Sequence, residues 1–408
     1  MGYRYQYVKI PGEGNRYFCI QQNPFVLAWL LFFKKNTLLP MTIGDGAGKW
    51  SLNYIKSEIC HYYSFSRTNI NKLIRFMKYK FHLQSLDPLV ELPCYGQICV
   101  LVNKGHKIFD LRRRVAIKVY RDDIDMPDIT HEMERLQKGS LFDFGPSIRR
   151  KNIRERWYEE DYIDGVRDYS AKPRNSSDLL KKFHEEIVPC LERLILHQSP
   201  VTKNTGDYVD EIKSIMASGN LMREGLDTHK IEKITAFIDS ITEQLHSAGN
   251  VPVYLVLTHG DFCPANMLNT RHGLRVIDWE SATLRSALFD FYSYFFYRSV
   301  HQKLPVGQLS SEIEVALPYL TGKLNTTAPD ISRSLKSFEK VYRWLYYIER
   351  VHMLIERERY DTKHNIIDVI LRFIEVFNTY EGISSDHNEK FRHINSITSI
   401  NFKAEEAK

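Results

Sequence analysis

The chain has 408 residues, of which 43% are hydrophobic and 26% are charged. This balance is typical of a globular protein and excludes a disordered one, and the length predicts two or three packed units. The formal net charge of +6 suits an anionic ligand such as a nucleotide, but it is too small for this length to indicate a nucleic-acid partner.

The six cysteines form no C-x-x-C pair and no disulfide-like spacing, so we predict free thiols in a reducing, cytoplasmic compartment. The N-terminus has no apolar signal core. The most apolar stretch, residues 25–33, ends at Lys34 and is too short for the roughly 20 residues that cross a bilayer. It therefore predicts a buried strand or helix, with contact at a membrane surface as the alternative, and no transmembrane segment.

Residues 1–90 mix aromatic, apolar and basic positions, and we predict a small N-terminal accessory module there. Residues 51–77 show partly helical spacing. The run Gly44–Lys49 invites comparison with a phosphate loop, which needs a glycine where this chain has Ile43 and a hydroxyl residue after the lysine. Both are absent, so we interpret the run as a glycine turn.

Short strand patterns begin near residue 91. Ile98–Val102, Val115–Tyr120 and residues 156–162 predict strands, and a helix is predicted around Ile129 to Gln137. Residues 91–162 therefore predict a compact, β-rich lobe.

Helical periodicity dominates residues 163–381, apart from one strand–hairpin–strand unit. The clearest helix, Val341–Glu358, carries Glu349 and Arg350 among other charges. These charges indicate either an acidic face for a cationic ligand or an exposed helix of mixed charge. Residues 382–408 are polar without periodicity and predict a flexible tail.

The most informative segment follows the strand predicted at Val253–Leu257. His259 and Asp261 come directly after that strand, Asn266 follows five positions after Asp261, and a returning strand ends at Asp278. Oxygen ligands of this kind suit Mg²⁺, and phosphoryl transfer depends on positioning and charge neutralisation. We predict that Asp261 orients and deprotonates an acceptor hydroxyl, while Asn266 and Asp278 hold the metal.

This segment resembles the signature of the aminoglycoside phosphotransferase and choline kinase family. That signature is His-Gly-Asp, four residues, Asn, and then a strand ending in Asp-Trp-Glu, here Asp278-Trp279-Glu280. Its order also parallels the catalytic loop of protein kinases. The resemblance covers about residues 91–360 and implies an α+β, bilobal, protein-kinase-like fold with a β-rich N-lobe and a helical C-lobe, here preceded by the small module.

The resemblance also implies roles for nucleotide-binding residues. Lys118, in Val115-Ala116-Ile117-Lys118, corresponds to the family lysine on the α- and β-phosphates, and Glu132 corresponds to its acidic partner, with Glu134 as a rival. The phosphate-covering hairpin is expected around residues 93–97, where Gly96 allows close backbone approach. Glu160 and Tyr162 fall in the linker whose backbone holds the purine.

Two further positions have supporting roles in this resemblance. His259 is expected to brace the catalytic loop through hydrogen bonds. Asp290 is expected to support the same loop from the start of a helix. Trp279 is expected to pack.

The resemblance implies a magnesium-dependent small-molecule kinase that uses ATP or GTP. The acceptor would carry a hydroxyl, as a sugar, an aminoglycoside or an amino alcohol does. The leading module is faintly similar to that of kinases encoded with bacterial surface-polysaccharide genes. The alternative is a catalytically silent, nucleotide-binding pseudokinase or scaffold. A protein kinase is disfavoured because the chain lacks an Ala-Pro-Glu element. The sequence does not indicate an oligomeric state.

Overall fold

The structure is a computed structural model that describes residues 4–9, 16–33, 70–81, 89–167, 180–218, 227–358 and 366–382. The chain divides into two compact units, one comprising Met1–Ala171 with Ala265–Ser281 and the other comprising Lys172–Pro264 with Ala282–Lys408. The predicted glycine turn at residues 44–49 and nearly all of the predicted tail lie outside the described residues.

The first unit is built on one large antiparallel sheet. Its strands are β1 (Tyr5–Lys9), β2 (Arg16–Cys19), β3 (Leu89–Leu92), β4 (Ile98–Val102), β5 (Gly105–Asp110), β6 (Val115–Tyr120), β7 (Ile148–Asn152) and β8 (Trp157–Asp161). They pair in the order β3-β1-β2-β4-β5-β6-β8-β7. The strands predicted at Ile98–Val102 and Val115–Tyr120 are confirmed, and β6 is buried at every position, as its run of apolar residues indicates.

Among the residues described, the helices that accompany this sheet are α1 (Pro24–Phe33), α2 (residues 70–80) and α3 (Met126–Gly139). The apolar stretch at residues 25–33 is therefore a helix, and Leu27 from it is fully buried in the core. Helix α3 confirms the helix predicted around Ile129, and its buried residues Ile129, Met133 and Leu136 recur at helical spacing on one face.

A small second sheet completes the first unit. Its strands are β9 (Val166–Arg167), β12 (Met267–Thr270) and β13 (Gly273–Val276), in the order β13-β12-β9. Because β12 pairs with β9, residues 265–281 belong to the first unit. The stretch 163–381, predicted as one continuous lobe, is thus interrupted by a segment that joins the β-rich unit.

The boundary predicted near residue 90 falls inside the large sheet. Strand β3 spans it, and β1 and β2 lie between β3 and β4. Tyr7 and Phe18 from these strands are at most 2% exposed. The first strands therefore continue the sheet, and a separate function for residues 1–90 stays a prediction.

The second unit is mainly helical. It contains a sheet in the order β10-β11-β14, formed by β10 (Val201–Asn204), β11 (Pro252–Thr258) and β14 (Thr283–Ser286). Its helices are α4 (residues 180–196, with a π-helical turn at Phe183–Ile187), α5 (Thr205–Ser218), α6 (Thr228–Ser247), α7 (Phe289–Gln302), α8 (Val306–Thr327), α9 (Pro329–Ser337), α10 (Glu339–Glu358) and α11 (residues 366–382).

Aromatic side chains form the core of this unit. Phe296, Tyr347 and Phe377 are fully buried, and the rings of Tyr347 and Phe377 stack with centroids 4.1 Å apart. A β-rich unit and a helical unit together confirm the predicted α+β class. None of the helices in the described ranges has both the length and the apolar character needed to cross a bilayer.

Candidate active site

Lys118 lies in the middle of β6, and its side chain is only 8% exposed. Its ammonium group donates a short hydrogen bond to Glu132 Oε1 and another, at 2.8 Å, to Glu280 Oε2. Burial alone would lower the pKa of Lys118, but the two carboxylates raise it well above its ordinary value. The lysine is therefore a fixed cation held from two sides.

The acidic partner of Lys118 is Glu132 rather than Glu134. Glu132 lies on the buried face of α3 at 2% exposure, whereas Glu134 is exposed on the other side of the helix. Glu132 also accepts hydrogen bonds from Tyr120 Oη at 2.8 Å and from Lys104 Nζ at 2.9 Å. One carboxylate thus joins β6, α3 and the turn between β4 and β5.

A second ion pair lies on the same sheet. Lys107 of β5 is the cross-strand partner of Lys118, and its Nζ lies 2.7 Å from Glu160 Oε1. Burial lowers the pKa of Lys107, but Glu160 and Asp278 outweigh burial and raise the pKa above its ordinary value. Glu160 is therefore a buried residue of β8 engaged in an ion pair, and its side chain is not in an open linker.

Tyr162 follows β8 and is held against the sheet. Its backbone N–H donates to the carbonyl of Arg114 at 3.0 Å, and its ring packs edge-on against Phe109. Because this N–H is engaged within the protein, the structure does not support purine binding through it. A base-binding role for the backbone of residues 159–162 stays a prediction.

Gly96 does not lie in the turn between β4 and β5. It comes before β4, and a Cβ at this position would lie 2.5 Å from Ile108 Cγ2 and 2.7 Å from Phe109 O. The glycine is thus required by close packing on β5, and its assignment to a phosphate-covering hairpin is not supported. The β4–β5 turn consists of Asn103 and Lys104 instead.

Asn266 and Asp278 flank the open end of the β12–β13 hairpin. Met267 pairs with Val276, and Ile277 N donates to Asn266 O at 2.9 Å, so the two predicted metal ligands leave the hairpin at the same end. Asp278 has φ +73°, a left-handed conformation that aspartate tolerates better than most residues. The backbone thus sets the direction of this carboxylate.

The donor set at the hairpin fits magnesium. The amide oxygen of Asn266 and the carboxylate of Asp278 are hard oxygen donors, and Mg²⁺ is commonly held by one or two protein carboxylates together with substrate phosphates and water. Among the described residues, no group of three or more His, Cys, Asp or Glu side chains has a metal-binding arrangement. A two-donor site of this kind suits a metal that arrives with its nucleotide.

Trp279 anchors the hairpin end, as expected for a packing residue. Its ring is fully buried against the rings of Phe142 and Phe144, with centroids 5.4 and 5.8 Å away, and its Nε1 donates to Val276 O at 2.9 Å. This packing fixes its neighbours Asp278 and Glu280 in place, and Glu280 reaches Lys118.

In the second unit, Asp290 holds the loop that follows β11. This aspartate, in the first turn of α7, accepts N–H bonds from His259 at 2.6 Å and from Gly260 at 3.0 Å. Burial raises the pKa of Asp290 to about 7, although the two N–H bonds act in the opposite direction. Gly260 has φ +85°, which a glycine adopts without strain.

His259 lies inside this loop and is 0% exposed. Its Nδ1 accepts the backbone N–H of Asp261 at 3.1 Å. This contact is the bracing interaction expected from the sequence. His259 therefore serves the loop as a positioning residue, while Asp261 is partly exposed.

Arg350 of α10 contacts the predicted base. Its Nη1 lies 3.3 Å from Asp261 Oδ1 and 3.4 Å from Gly260 O, and the arginine is 4% exposed. A buried guanidinium that donates to a carboxylate oxygen restricts the orientation of the carboxylate. The contact joins residues 89 positions apart, and no local sequence pattern indicates it.

Glu349 is not part of an acceptor-binding acidic face. It is 2% exposed and accepts hydrogen bonds from Ser286 N at 2.7 Å, Ser286 Oγ at 2.6 Å and Tyr208 Oη at 2.5 Å. Burial raises the pKa of Glu349. Its role is to fix α10 against β14 and α5, so the interpretation as cation recognition is wrong for this residue.

The structure brings together part of the predicted set in each unit. Lys118 with Glu132, and Asn266 with Asp278, lie in the first unit, and His259 with Asp261 lies in the second. Sequence reasoning missed Lys104, Lys107, Tyr120, Glu280 and Arg350 as members of these networks. The register of the β5–β6 hairpin, which places Lys107 opposite Lys118, was the one signal that could have indicated Lys107.

Comparison with solved structures gives similarities at low identity. The chain is similar to a choline kinase from Streptococcus pneumoniae at 16% identity and a TM-score of 0.43, covering 69% of this chain and 91% of that chain. An ethanolamine kinase from Plasmodium vivax is similar at 14% identity and a TM-score of 0.44, and the match covers 68% of this chain and 80% of that chain. An aminoglycoside phosphotransferase from Streptomyces rimosus, solved in complex with ADP and streptomycin, is similar at 15% identity and a TM-score of 0.38. That match covers 60% of this chain and 90% of that chain.

No curated protein sequence matches the chain. Residues 157–311 match the model of a family described as "Phosphotransferase enzyme family". That range contains His259, Asp261, Asn266 and Asp278, whereas Lys118 and Glu132 precede it. Over residues 157–311 the chain thus carries the sequence pattern of the phosphotransferase enzyme family, and the family resemblance drawn from its motifs is confirmed.

Proposed function

We propose that this protein is a magnesium-dependent phosphotransferase that moves the γ-phosphate of ATP or GTP to a hydroxyl group of a small molecule. The observation that carries the proposal is the loop at Asp261. Backbone bonds to Asp290 and His259 brace this loop, and it lies within the segment that matches the phosphotransferase family. A pure binding module has no need for a carboxylate held in this way.

In this proposal Asp261 acts on the acceptor. One of its carboxylate oxygens contacts Arg350, and the carboxylate takes the proton of the acceptor hydroxyl. As the new oxygen–phosphorus bond forms, the bond between the γ-phosphorus and the oxygen that bridges it to the β-phosphate breaks, and the nucleoside diphosphate leaves. His259 and Asp290 act through the backbone of the loop and keep the carboxylate in position, because small misplacements reduce the rate of an oriented reaction.

The first unit binds the phosphate donor in this proposal. Lys118, fixed by Glu132 and Glu280, donates to the α- and β-phosphates. Asn266 and Asp278 hold magnesium, which supplies neutralisation of the phosphate charge when it is bound. Sugars, aminoglycosides and amino alcohols are the acceptor classes to be tested. Activity on sugars would support a role in cell-surface polysaccharide metabolism.

Asp261→Asn tests the proposal. We expect nucleotide consumption with a responsive acceptor to fall at least about 100-fold, because general-base catalysis contributes about 10² to 10⁴. Nucleotide affinity should stay unchanged. The matched control is Asp330→Asn, at an exposed aspartate of α9, which should retain full turnover. If wild-type turnover does not exceed that of Asp261→Asn with any acceptor class, the protein is a silent nucleotide-binding scaffold.

A further inference from the structure

The turn between β4 and β5 carries a lysine at its tip. Val102 pairs with Gly105, so Asn103 and Lys104 form the two-residue connection. The carbonyl of Lys104 accepts the N–H of Arg121 at 3.0 Å, and a Cβ at Gly105 would lie 2.0 Å from Val119 O. The backbone of this turn is therefore packed against β6, and the Lys104 side chain can rotate without moving it.

The Lys104 side chain shares a carboxylate with Lys118. Lys104 Nζ lies 2.9 Å from Glu132 Oε2, while Glu132 Oε1 accepts from Lys118 and Tyr120. Two ammonium groups thus lie on the two oxygens of one carboxylate. Lys118 has a further carboxylate partner in Glu280, and Lys104 is the more exposed of the two lysines, at 19% against 8%.

These contacts give the two lysines different tasks. Lys118 is held from two sides and can keep the Glu132 charge paired if Lys104 leaves. Lys104 reaches Glu132 from a turn, through a flexible side chain whose three donors suit a phosphate as well as a carboxylate. A terminal phosphate carries more negative charge than one carboxylate and competes with Glu132 for this cation.

We propose that Lys104 is a second phosphate-recognising lysine, which exchanges Glu132 for the terminal phosphate of the nucleotide. The inference rests on the proposed function, because it takes the α- and β-phosphates to lie at Lys118. Lys104 then distinguishes a nucleoside triphosphate from a diphosphate. In the absence of a triphosphate it remains paired with Glu132.

Calorimetric titration of magnesium-ATP and magnesium-ADP (or the guanine pair, if the protein prefers it) tests the inference. In Lys104→Met we expect triphosphate binding to weaken about tenfold, the size of one charge-assisted hydrogen bond, and diphosphate binding to weaken less than about threefold. Lys104→Arg should retain most of the triphosphate affinity. The matched control, Lys151→Met at an exposed position of β7, should match the wild type.

The outcomes separate the two proposals. Equal losses for triphosphate and diphosphate would mean that Lys104 acts only through Glu132, and unchanged affinities would mean that it has no role; either result overturns the inference alone. A wild-type protein that binds neither nucleotide would overturn the proposed function and the inference with it. Unfolding temperatures of the variants, measured alongside, show whether a loss of binding reflects a loss of folded protein.

Discussion

Glu132 and Glu134 are two positions apart in one helix, yet only Glu132 belongs to the charge network. The difference comes from the helical period, which places Glu132 beside Ile129, Met133 and Leu136 and turns Glu134 outward. A buried carboxylate is stable only with full pairing, and Glu132 receives three donors. A carboxylate is therefore required for the charge network at position 132, which is buried, but not at position 134, which is exposed.

This difference predicts unequal costs of substitution. Glu132→Ala leaves Lys118 buried with one carboxylate partner, and we expect a loss of about 3 kcal/mol in the free energy of unfolding. Glu134→Ala, at an exposed site on the same helix, should change it by less than about 0.5 kcal/mol. Chemical denaturation of both variants measures the difference. Equal effects would contradict the assigned pairing.

At the scale of elements, the loop that carries Asp261 depends on the start of a helix. Asp290 in the first turn of α7 accepts the N–H groups of His259 and Gly260, so the end of β11 and the start of α7 are joined through one side chain. The aspartate is 3% exposed, which explains its raised pKa. The element pair thus contains an acid that changes charge near neutral pH.

The sign of the resulting pH dependence follows from this shift. The folded-state pKa of Asp290, about 7, lies above the ordinary value of 3.8, so the folded protein keeps a proton that the unfolded chain releases. The associated stabilisation is fully present below about pH 4 and is lost as the pH rises through 7. In urea denaturation, the free energy of unfolding of the wild type minus that of Asp290→Asn should therefore be larger at pH 5 than at pH 8.

The exposed aspartate variant Asp330→Asn is the control for that comparison, and its difference from wild type should not vary over the same range. If the free energy of unfolding of the wild type minus that of Asp290→Asn is constant with pH, or larger at pH 8, the raised pKa of Asp290 is contradicted.

At the scale of the whole molecule, local patterns predicted local structure well. Strands β4 and β6 and helix α3 were found because runs of β-branched residues and a clear helical period identify them. The segment from His259 to Asp278 was recognised because its spacing is specific, and it lies within the family match. By contrast, Glu280 contacts Lys118 from 162 positions away, and such contacts depend on the packed fold. Strand β1 is as long as β4, but it mixes polar, aromatic and basic residues and lacks the apolar run that identifies β4, and β2 has only four residues.

The interior position of β1 and β2 predicts that residues 1–20 are essential for the first unit. A chain that begins at residue 21 loses two inner strands of the large sheet, together with the buried side chains of Tyr7 and Phe18. We expect such a protein to be insoluble or to lose strand signal in circular dichroism. A soluble truncated protein with unchanged nucleotide affinity would instead support a dispensable accessory module.

The return of residues 265–281 to the first unit has a consequence for synthesis of the chain. Until these residues have left the ribosome, strand β9 lacks its partner β12, and Phe142 and Phe144 lack the Trp279 ring that packs on them. Nascent domains ordinarily fold in order from the N-terminus. Here the earlier unit waits for residue 281, so almost 100 residues of the later unit emerge before the first can be completed.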